Sequence, residues 1–358
     1  MRRPRFKAPG HHPVAYYHCV SRVVNREFVL GTQEKECFLQ LMRACEGLCG
    51  LRVAAYCVMS NHFHILVEVP RRPALEDLPD DAGLVARVRA FLGGRAADVL
   101  ERELAHLRGM GLVDAAEALR DRWFVRMWDV SEFMKTLKQR FSRWYNRHHK
   151  RTGALWEERF RSVLVEGEYE ALRAVAAYID LNPVRAGICG DSGDYRWCGY
   201  GDALAGARTA GEAVAWLVGP DAGGGLGAGA PDTDTALWKW RCYLFGMPEN
   251  GAAREEGQVP EEGAQVFRPG IPRSEALEIL ACGGRLPQAE YLRCRVRYFT
   301  DGAVLGGREF VDDAFRRMRW RFGAKRRDGA RPLRGLENPP DKSKRLYNLR
   351  QLQRDVFG

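Results

Sequence analysis

Residues 56–69 form a long apolar run, Y-C-V-M-S-N-H-F-H-I-L-V-E-V, that carries two imidazoles in its middle. The run predicts two strands, 51–58 and 62–70, that meet at the S-N corner. Because side chains alternate along a strand, His62 and His64 are expected on one face of the second strand, together with Leu66. The other face then carries the apolar residues Phe63, Ile65, Val67 and Val69. One face of this strand can therefore pack in a core while the other presents two imidazoles.

The patterns on either side of this hairpin predict an α+β fold. The predicted elements are a strand at 14–24, helices at 34–49, 131–150 and 168–181, and a strand at 155–166. With the hairpin included, the order β-α-β-β-α-β-α fits a ferredoxin-like (RRM-like) antiparallel sheet with helices on one face. The Ala/Arg-rich residues at about 71–127 interrupt this order, and we predict that they form a helical insertion.

The composition changes after residue 200. A Gly/Ala-rich stretch at 219–231 and an acidic stretch at 249–265 are typical of flexible connectors. Between them, 236–247 predicts one apolar helix, and 272–322 predicts a small helical domain. The predicted organisation is the sheet domain with its insertion at 1–200, a flexible linker with one short helix at 201–270, and a basic helical C-terminal region at 271–358 that could bind DNA.

The positive charge of the chain is concentrated near its C-terminal end. Residues 315–358 contain fourteen Lys or Arg and four Asp or Glu, whereas residues 1–314 contain 42 of each sign. Residues 135–151, in the region of the predicted long helix, add seven basic residues and no acidic one, namely Lys135, Lys138, Arg140, Arg143, Arg147, Lys150 and Arg151. Such clusters are typical of nucleic-acid binding, because neutralising phosphates releases counterions. The alternatives are solvated faces of an Arg-rich chain and, for the C-terminal cluster, a disordered basic tail.

Membrane and disulfide-rich proteins are excluded by other features of the sequence. No apolar run reaches the roughly 18 residues of a membrane-spanning helix, and no signal-peptide pattern is present. We therefore expect a cytoplasmic protein without a membrane partner. The ten cysteines contain no C-x-x-C pair, which argues against a zinc knuckle or a disulfide framework, and we expect them to be reduced.

A phenol and a carboxamide are brought together by the segment A-A-Y-I-D-L-N-P-V-R-A-G at 176–187. On a helix, Tyr178 and Asn182 are four residues apart and share a face, so both can point into one site. Pro183 then ends the helix, which puts Asn182 in a distorted last turn. Taken alone, this segment could hold a core tyrosine and a capping asparagine. The imidazole pair, taken alone, could be hydrogen-bonded structure or half of a metal site.

Together these motifs resemble those of the single-tyrosine HUH transposases, and most closely the REP-associated tyrosine transposases. The segments that carry the resemblance are Y-H-C-V-S-R at 17–22, M-S-N-H-F-H-I-L-V at 59–67, Tyr145 to Phe160, and Y-I-D-L-N-P-V-R-A-G at 178–187 with Y-R-W at 195–197. They cover about residues 10–200. The long insertion and the C-terminal half depart from the smallest members of that family.

The resemblance implies a reaction and a set of site residues. His62, His64 and Asn182 would hold Mg²⁺ or Mn²⁺, and Tyr178 would attack single-stranded DNA beside a hairpin to give a 5′-phosphotyrosine link. A bound cation can polarise a phosphate oxygen and hold the phosphorus for in-line attack. Covalent attack conserves the bond energy, so strands can be rejoined without ATP.

A rival tyrosine lies on the basic helix, where Tyr145 and His149 are also four residues apart. The charge of that helix suits contact with a phosphate backbone better than catalysis, so we favour Tyr178 as the nucleophile. His18, on the first strand, is expected to be structural or to contact DNA.

The residues expected to bind nucleic acid are arginines that contact the backbone and aromatic side chains on which bases stack. They are Arg22, Arg147, Trp156, Arg159 and Arg161, with Trp144 and Phe160 as further stacking candidates. The predicted function is a metal-dependent single-strand DNA endonuclease and strand transferase, acting as a monomer or a homodimer on DNA with a hairpin. The alternatives are a non-catalytic DNA- or RNA-binding protein on the same fold, and a replication initiator or relaxase of the HUH type.

Overall fold

The order of strands and helices follows the predicted one. The structure is a computed structural model that describes residues 5–9, 12–219, 232–246, 273–294 and 297–350. Its first elements are β1 (Val14–Arg22), α1 (Thr32–Cys49), β2 (Arg52–Val58), β3 (His62–Pro70), α2 (Asp81–Leu92), α3 (Gly94–Gly109), α4 (Val113–Phe124), α5 (Val130–His148), β4 (Arg161–Val165) and α6 (Tyr169–Asp180). The mixed α+β class is confirmed, and α2, α3 and α4 occupy the stretch predicted as a helical insertion.

The elements that follow are mostly helices. They are α7 (Asn182–Arg185), α8 (Gly199–Leu204), α9 (Arg208–Val218), α10 (Thr233–Phe245), α11 (Arg273–Ala281), α12 (Gln288–Cys294), α13 (Arg297–Thr300), β5 (Gly302–Gly306), α14 (Arg308–Arg317), β6 (Arg331–Pro332) and β7 (Tyr347–Arg350). No helix in the described part of the chain is long and apolar enough to cross a membrane.

The C-terminal region contains strands as well as the predicted helices. β5 has the short apolar sequence G-A-V-L-G, and periodicity does not distinguish so short a run from a buried helix.

In the stretch predicted as a linker, the structure has α9 in addition to the expected helix, which is α10. The α9 sequence R-T-A-G-E-A-V-A-W-L-V is rich in small residues, a composition that it shares with the neighbouring Gly/Ala-rich connector. The connector at 249–265 and residues 220–231 of the other connector lie outside the described residues.

The chain forms two compact units. The first contains Lys7–Val53 and Val58–Ser162, and the second contains Met1–Phe6, Ala54–Cys57 and Val163–Gly358. The first unit therefore holds β1, β3 and the helices α1 to α5. The second holds α6 and all the elements that follow it.

In the first unit, one face of β3 forms a core with the helices. β1 and β3 are antiparallel, with Val20 opposite His64 and Arg22 opposite His62. On the other face of β3, the ring of Phe63 packs 4.6 Å from Phe38 of α1, between centroids. Phe141 of α5 completes this group, with its ring 5.3 Å from that of Phe38. The predicted alternation along β3, with Phe63 on the core face, is confirmed.

In the second unit, four strands follow the order β4-β5-β7-β6. β5 is parallel to β4 and antiparallel to β7, and β7 is antiparallel to β6. Leu349 of β7 is fully buried. The described part of the basic C-terminal stretch therefore belongs to a folded unit, and the interpretation of this part as a disordered tail is wrong.

A buried carboxyl group fixes the end of α6 in the second unit. Asp180 is 1 % exposed, and it accepts hydrogen bonds from Trp240 Nε1 (2.9 Å) and from the backbone N–H of Tyr200 (3.2 Å). Burial raises the pKa of Asp180 to about 7, although the hydrogen bonds that it accepts lower it. Asp180 thus connects α6 with α8 and α10.

We expect Asp180→Ala to reduce the free energy of unfolding by about 2–4 kcal/mol, because two buried N–H groups lose their acceptor. Asp180→Asn keeps an acceptor oxygen and should cost less. Between pH 3.8 and about 7 the folded protein holds a proton at Asp180 that the unfolded chain has lost, so this group's contribution to stability falls as the pH rises. The Asn variant should lose that pH dependence. Urea unfolding at several pH values measures both effects, and equal stability of the Ala variant and the unmodified protein would contradict the assignment.

Candidate functional site

β3 presents the predicted imidazole pair. The rings of His62 and His64 lie 5.1 Å apart between centroids, at an interplanar angle of 80°. His64 is 2 % exposed, whereas His62, at the start of the strand, is partly exposed. The pair therefore consists of one partly exposed and one buried imidazole.

A hydrogen bond at Nδ1 orients each of the two imidazoles. His62 Nδ1 lies 2.6 Å from Asn61 Oδ1, which is an acceptor, so this nitrogen carries the proton. His64 Nδ1 lies 2.9 Å from His18 Nε2, and the same tautomer follows when His64 donates this bond. In a neutral imidazole protonated at Nδ1, the lone pair lies on Nε2, which is the atom that would bind a metal.

His18, expected from the sequence to be structural or to contact DNA, is a neighbour of the imidazole pair. It is fully buried on β1, and its ring stacks on that of His64 at 5.1 Å. The β1–β3 register makes His18 a diagonal neighbour of His64, because Val20 is the directly opposite residue. Both histidines are visible in the sequence, but their contact depends on a strand register that the sequence patterns left undetermined.

The second unit holds the predicted phenol and carboxamide. α6 ends at Asp180 and α7 begins at Asn182, so the helix is interrupted at Leu181, just before Pro183. Asn182 Nδ2 donates to the backbone oxygens of Tyr178 (3.2 Å) and Ile179 (3.1 Å). Because the amide nitrogen is bound to the helix, Oδ1 is the atom of this side chain that could bind a cation.

Tyr178 is enclosed by residues from the C-terminal part of the chain. It is 1 % exposed, and its ring stacks on Phe299 of α13 at 4.7 Å with an interplanar angle of 19°. On this ring also lies the guanidinium group of Arg185, whose Cζ is 3.9 Å from the centroid. Arg185 in turn donates to the backbone oxygens of Tyr178 (2.8 Å) and Leu292 (3.0 Å). No local pattern in the sequence connects Phe299 with Tyr178.

Trp156, one of the residues predicted to contact nucleic acid, is half-buried in the first unit. Trp156 packs against Phe63 and Phe141 at 5.3 and 5.8 Å between centroids, and its Nε1 donates to the backbone oxygen of Lys138. It is thus partly a core residue. Among the predicted arginines, Arg22, Arg147, Arg159 and Arg161 are exposed, and Arg161 forms an ion pair with Glu158.

A cluster with metal-binding side chains lies at the end of α5. Potential ligand atoms of Glu34, His148 and His149 lie within 4.8 Å of one another, and among the described residues this is the one such group of three His, Cys, Asp or Glu side chains. His149 Nε2 and Glu34 Oε1 are 2.9 Å apart. A hydrogen-bonded pair thus accounts for two of the three side chains without a metal ion.

Tyr145, the rival nucleophile, lies beside this cluster. Its ring is 4.3 Å from that of His149 between centroids, as the four-residue spacing predicts. Burial raises the pKa of Tyr145, and Glu34 and Glu27 add to this effect while Arg151 opposes it. A phenol with a raised pKa forms its nucleophilic phenolate less readily, so these surroundings do not favour covalent chemistry at Tyr145.

Comparison with known proteins relates the first unit to a family of transposases. Residues 12–78 match the sequence model of the family described as "Transposase IS200 like". This segment contains β1, β3 and the imidazole pair, and the predicted family resemblance is confirmed over it. The chain is also similar to a solved structure of a REP-associated tyrosine transposase bound to a REP hairpin, with 13% identity and a TM-score of 0.37 over 57% of this chain and 86% of that chain. No curated protein sequence matches the chain.

Proposed function

We propose, given that residues 12–78 match the IS200-like transposase family, that this protein is a metal-dependent single-strand DNA endonuclease and strand transferase. The observation that carries the proposal is the oriented imidazole pair of β3, which lies inside the matched segment. The same proposal takes single-stranded DNA next to a hairpin as the substrate and includes a cytoplasmic location.

In this proposal His62, His64 and Asn182 hold a divalent cation, Mg²⁺ or Mn²⁺. The donor set fits such an ion, because two imidazole nitrogens and one carboxamide oxygen leave open positions for phosphate oxygens and water. When bound, the cation would polarise the scissile phosphate and neutralise charge that develops during attack. The hydrogen bonds at Nδ1 of both histidines and at Nδ2 of Asn182 are what orient the three donor atoms.

Tyr178 is the nucleophile in this proposal. Its phenolate oxygen forms a bond to phosphorus while the bond from phosphorus to the 3′ oxygen of the preceding nucleotide breaks. The products are a 5′-phosphotyrosine on the downstream strand and a free 3′-hydroxyl on the upstream strand. Attack by a 3′-hydroxyl reverses the step and joins strands, with no net hydrolysis.

One observation favours the non-catalytic alternative. The Tyr178 ring is almost fully buried between Phe299 and Arg185, whereas a nucleophile must reach a phosphate. A DNA- or RNA-binding protein that keeps the family residues without turnover would have no need for an accessible phenol. Formation of a covalent product distinguishes the two functions.

The test uses an oligonucleotide hairpin with a single-stranded flank, labelled at either end and incubated with the full-length protein and Mn²⁺. We expect the 3′ label to migrate with the protein on a denaturing gel, since the downstream strand stays bound to tyrosine. The 5′ label should appear on a shorter free strand, and EDTA should prevent both products. Binding of the hairpin without either product, across a set of hairpin sequences, would contradict the enzyme and support the binding protein.

A further inference from the structure

A basic cavity of about 470 Å³ lies in the first unit, beside α5. Its lining consists of Leu41, Phe91, Leu92, Arg126, Arg140, Arg143, Trp144 and Arg147. Half of these residues are arginines and none is acidic. Phe91, Leu92 and Arg126 belong to the inserted helices and the loop that follows them, so the insertion builds one wall of the cavity.

The arginines of the cavity have no carboxylate partner among the residues that the structure describes. Arg140, Arg143 and Arg147 follow one another at intervals of three and four residues, which puts them on one side of α5. Arg140 donates to the backbone oxygen of Phe91 (3.1 Å), and Arg126 packs against Trp123 at 5.4 Å. Within the described ranges, none of the four arginines forms an ion pair with Asp or Glu. Four guanidinium groups around one cavity repel one another, so the site favours an anion.

The rest of the lining is apolar and aromatic. Phe91 is 4 % exposed, and the guanidinium group of Arg140 covers its ring at 4.2 Å. The Trp144 indole is oriented by Phe141 and by His148, whose ring stacks parallel to it at 5.1 Å. A ligand that suits both parts of the lining has a flat apolar moiety and at least one negative group.

We propose that this cavity binds one nucleotide of single-stranded DNA, with the base against Leu92 and Trp144 and the flanking phosphates at the arginines. The volume lies in the range of about 300–1,000 Å³ that is usual for small-ligand sites. Arginine forks match phosphate oxygens, and stacking on aromatic rings tolerates any base. Paired bases cannot enter a concave site without leaving their stack. The choice of DNA as the strand rests on the proposed function, whereas the nucleotide chemistry rests on the cavity.

The test measures affinity without cleavage, in the Tyr178→Phe background and in EDTA. Fluorescence anisotropy compares a single-stranded oligodeoxynucleotide, a blunt hairpin and an RNA of the same sequence. We expect Arg143→Gln with Arg147→Gln to weaken single-strand binding about tenfold and to reduce the salt slope by about 1.4, since each phosphate contact contributes about 0.7 on a single strand. Binding to the blunt hairpin should weaken much less. A photoreactive thymidine analogue in the oligonucleotide should cross-link to Trp144.

The matched control is Arg95→Gln with Arg102→Gln, which removes the same charge from exposed positions of α3 outside the cavity. An equal loss of affinity in this control, an equal loss for the blunt hairpin, or a loss for RNA alone would overturn the proposal. Adduct formation is measured separately with Tyr178 present. If the arginine variant selectively loses single-strand binding but the protein with Tyr178 forms no adduct, the cavity proposal is supported and the proposed enzymatic function is contradicted. If the arginine variant binds normally and the adduct forms, only the cavity proposal is contradicted.

Discussion

Tyr178→Phe is expected to abolish the covalent protein–DNA adduct, because it removes the one oxygen that would attack phosphorus. Tyr145→Phe should retain the adduct, since the pKa of Tyr145 is raised and its ring packs against His149. The measurement is the amount of labelled DNA that migrates with the protein under denaturing conditions, followed by peptide mapping of the modified residue.

The phenylalanine variants preserve the ring contacts of both tyrosines. Phe at position 178 can still stack on Phe299 and under Arg185, so loss of the adduct would not reflect unfolding. Unchanged melting temperatures of the two variants provide the control. A nucleotide mapped to Tyr145, or an adduct that persists in Tyr178→Phe, would show that the nucleophile is assigned to the wrong residue.

We expect His64→Ala to reduce the rate of Mn²⁺-dependent cleavage by at least about 100-fold. Loss of a residue that only forms a hydrogen bond to a metal ligand already reduces metal affinity or activity by about 10–100-fold. His64→Ala should also weaken Mn²⁺ binding, as measured by electron paramagnetic resonance of the free ion. The variant removes the buried hydrogen bond between His64 and His18, so circular dichroism and hairpin binding must confirm that the fold is retained.

His149→Ala is the matched imidazole control, because it disrupts the cluster of Glu34, His148 and His149 instead. We expect it to keep full cleavage. If His149→Ala lost cleavage and His64→Ala kept it, the metal ion would belong at the end of α5, and the assignment to β3 would be wrong.

The sequence was sufficient to predict the elements that depend on local patterns. Alternation along β3 separated His62 and His64 from Phe63, and the helical pattern predicted Tyr178 in the last turns of a helix that is interrupted just before Asn182. Periodicity determines these features because each side chain's direction follows from the backbone of its own element.

Features that depend on contacts between distant segments were not predicted. His18 meets His64 because of the β1–β3 register, and Phe299 covers Tyr178 from more than a hundred residues away. The basic cavity likewise requires α1, the insertion and α5 to pack together. Arg147 was predicted as a nucleic-acid contact from charge alone, but its grouping with Arg126 and Trp144 follows from packing.

The position of β7 has a consequence for biosynthesis. β7 lies between β5 and β6 in the sheet of the second unit, yet it is translated after every other described strand. Until residue 350 has left the ribosome, β5 has an unpaired edge, and such edges invite wrong pairing in a nascent chain. The first unit, with the imidazole pair and the basic cavity, is translated in full before that point. Under the proposed function, a growing chain thus acquires the basic cavity before the unit that holds Tyr178 is complete, so strand cleavage would have to await the synthesis of β7.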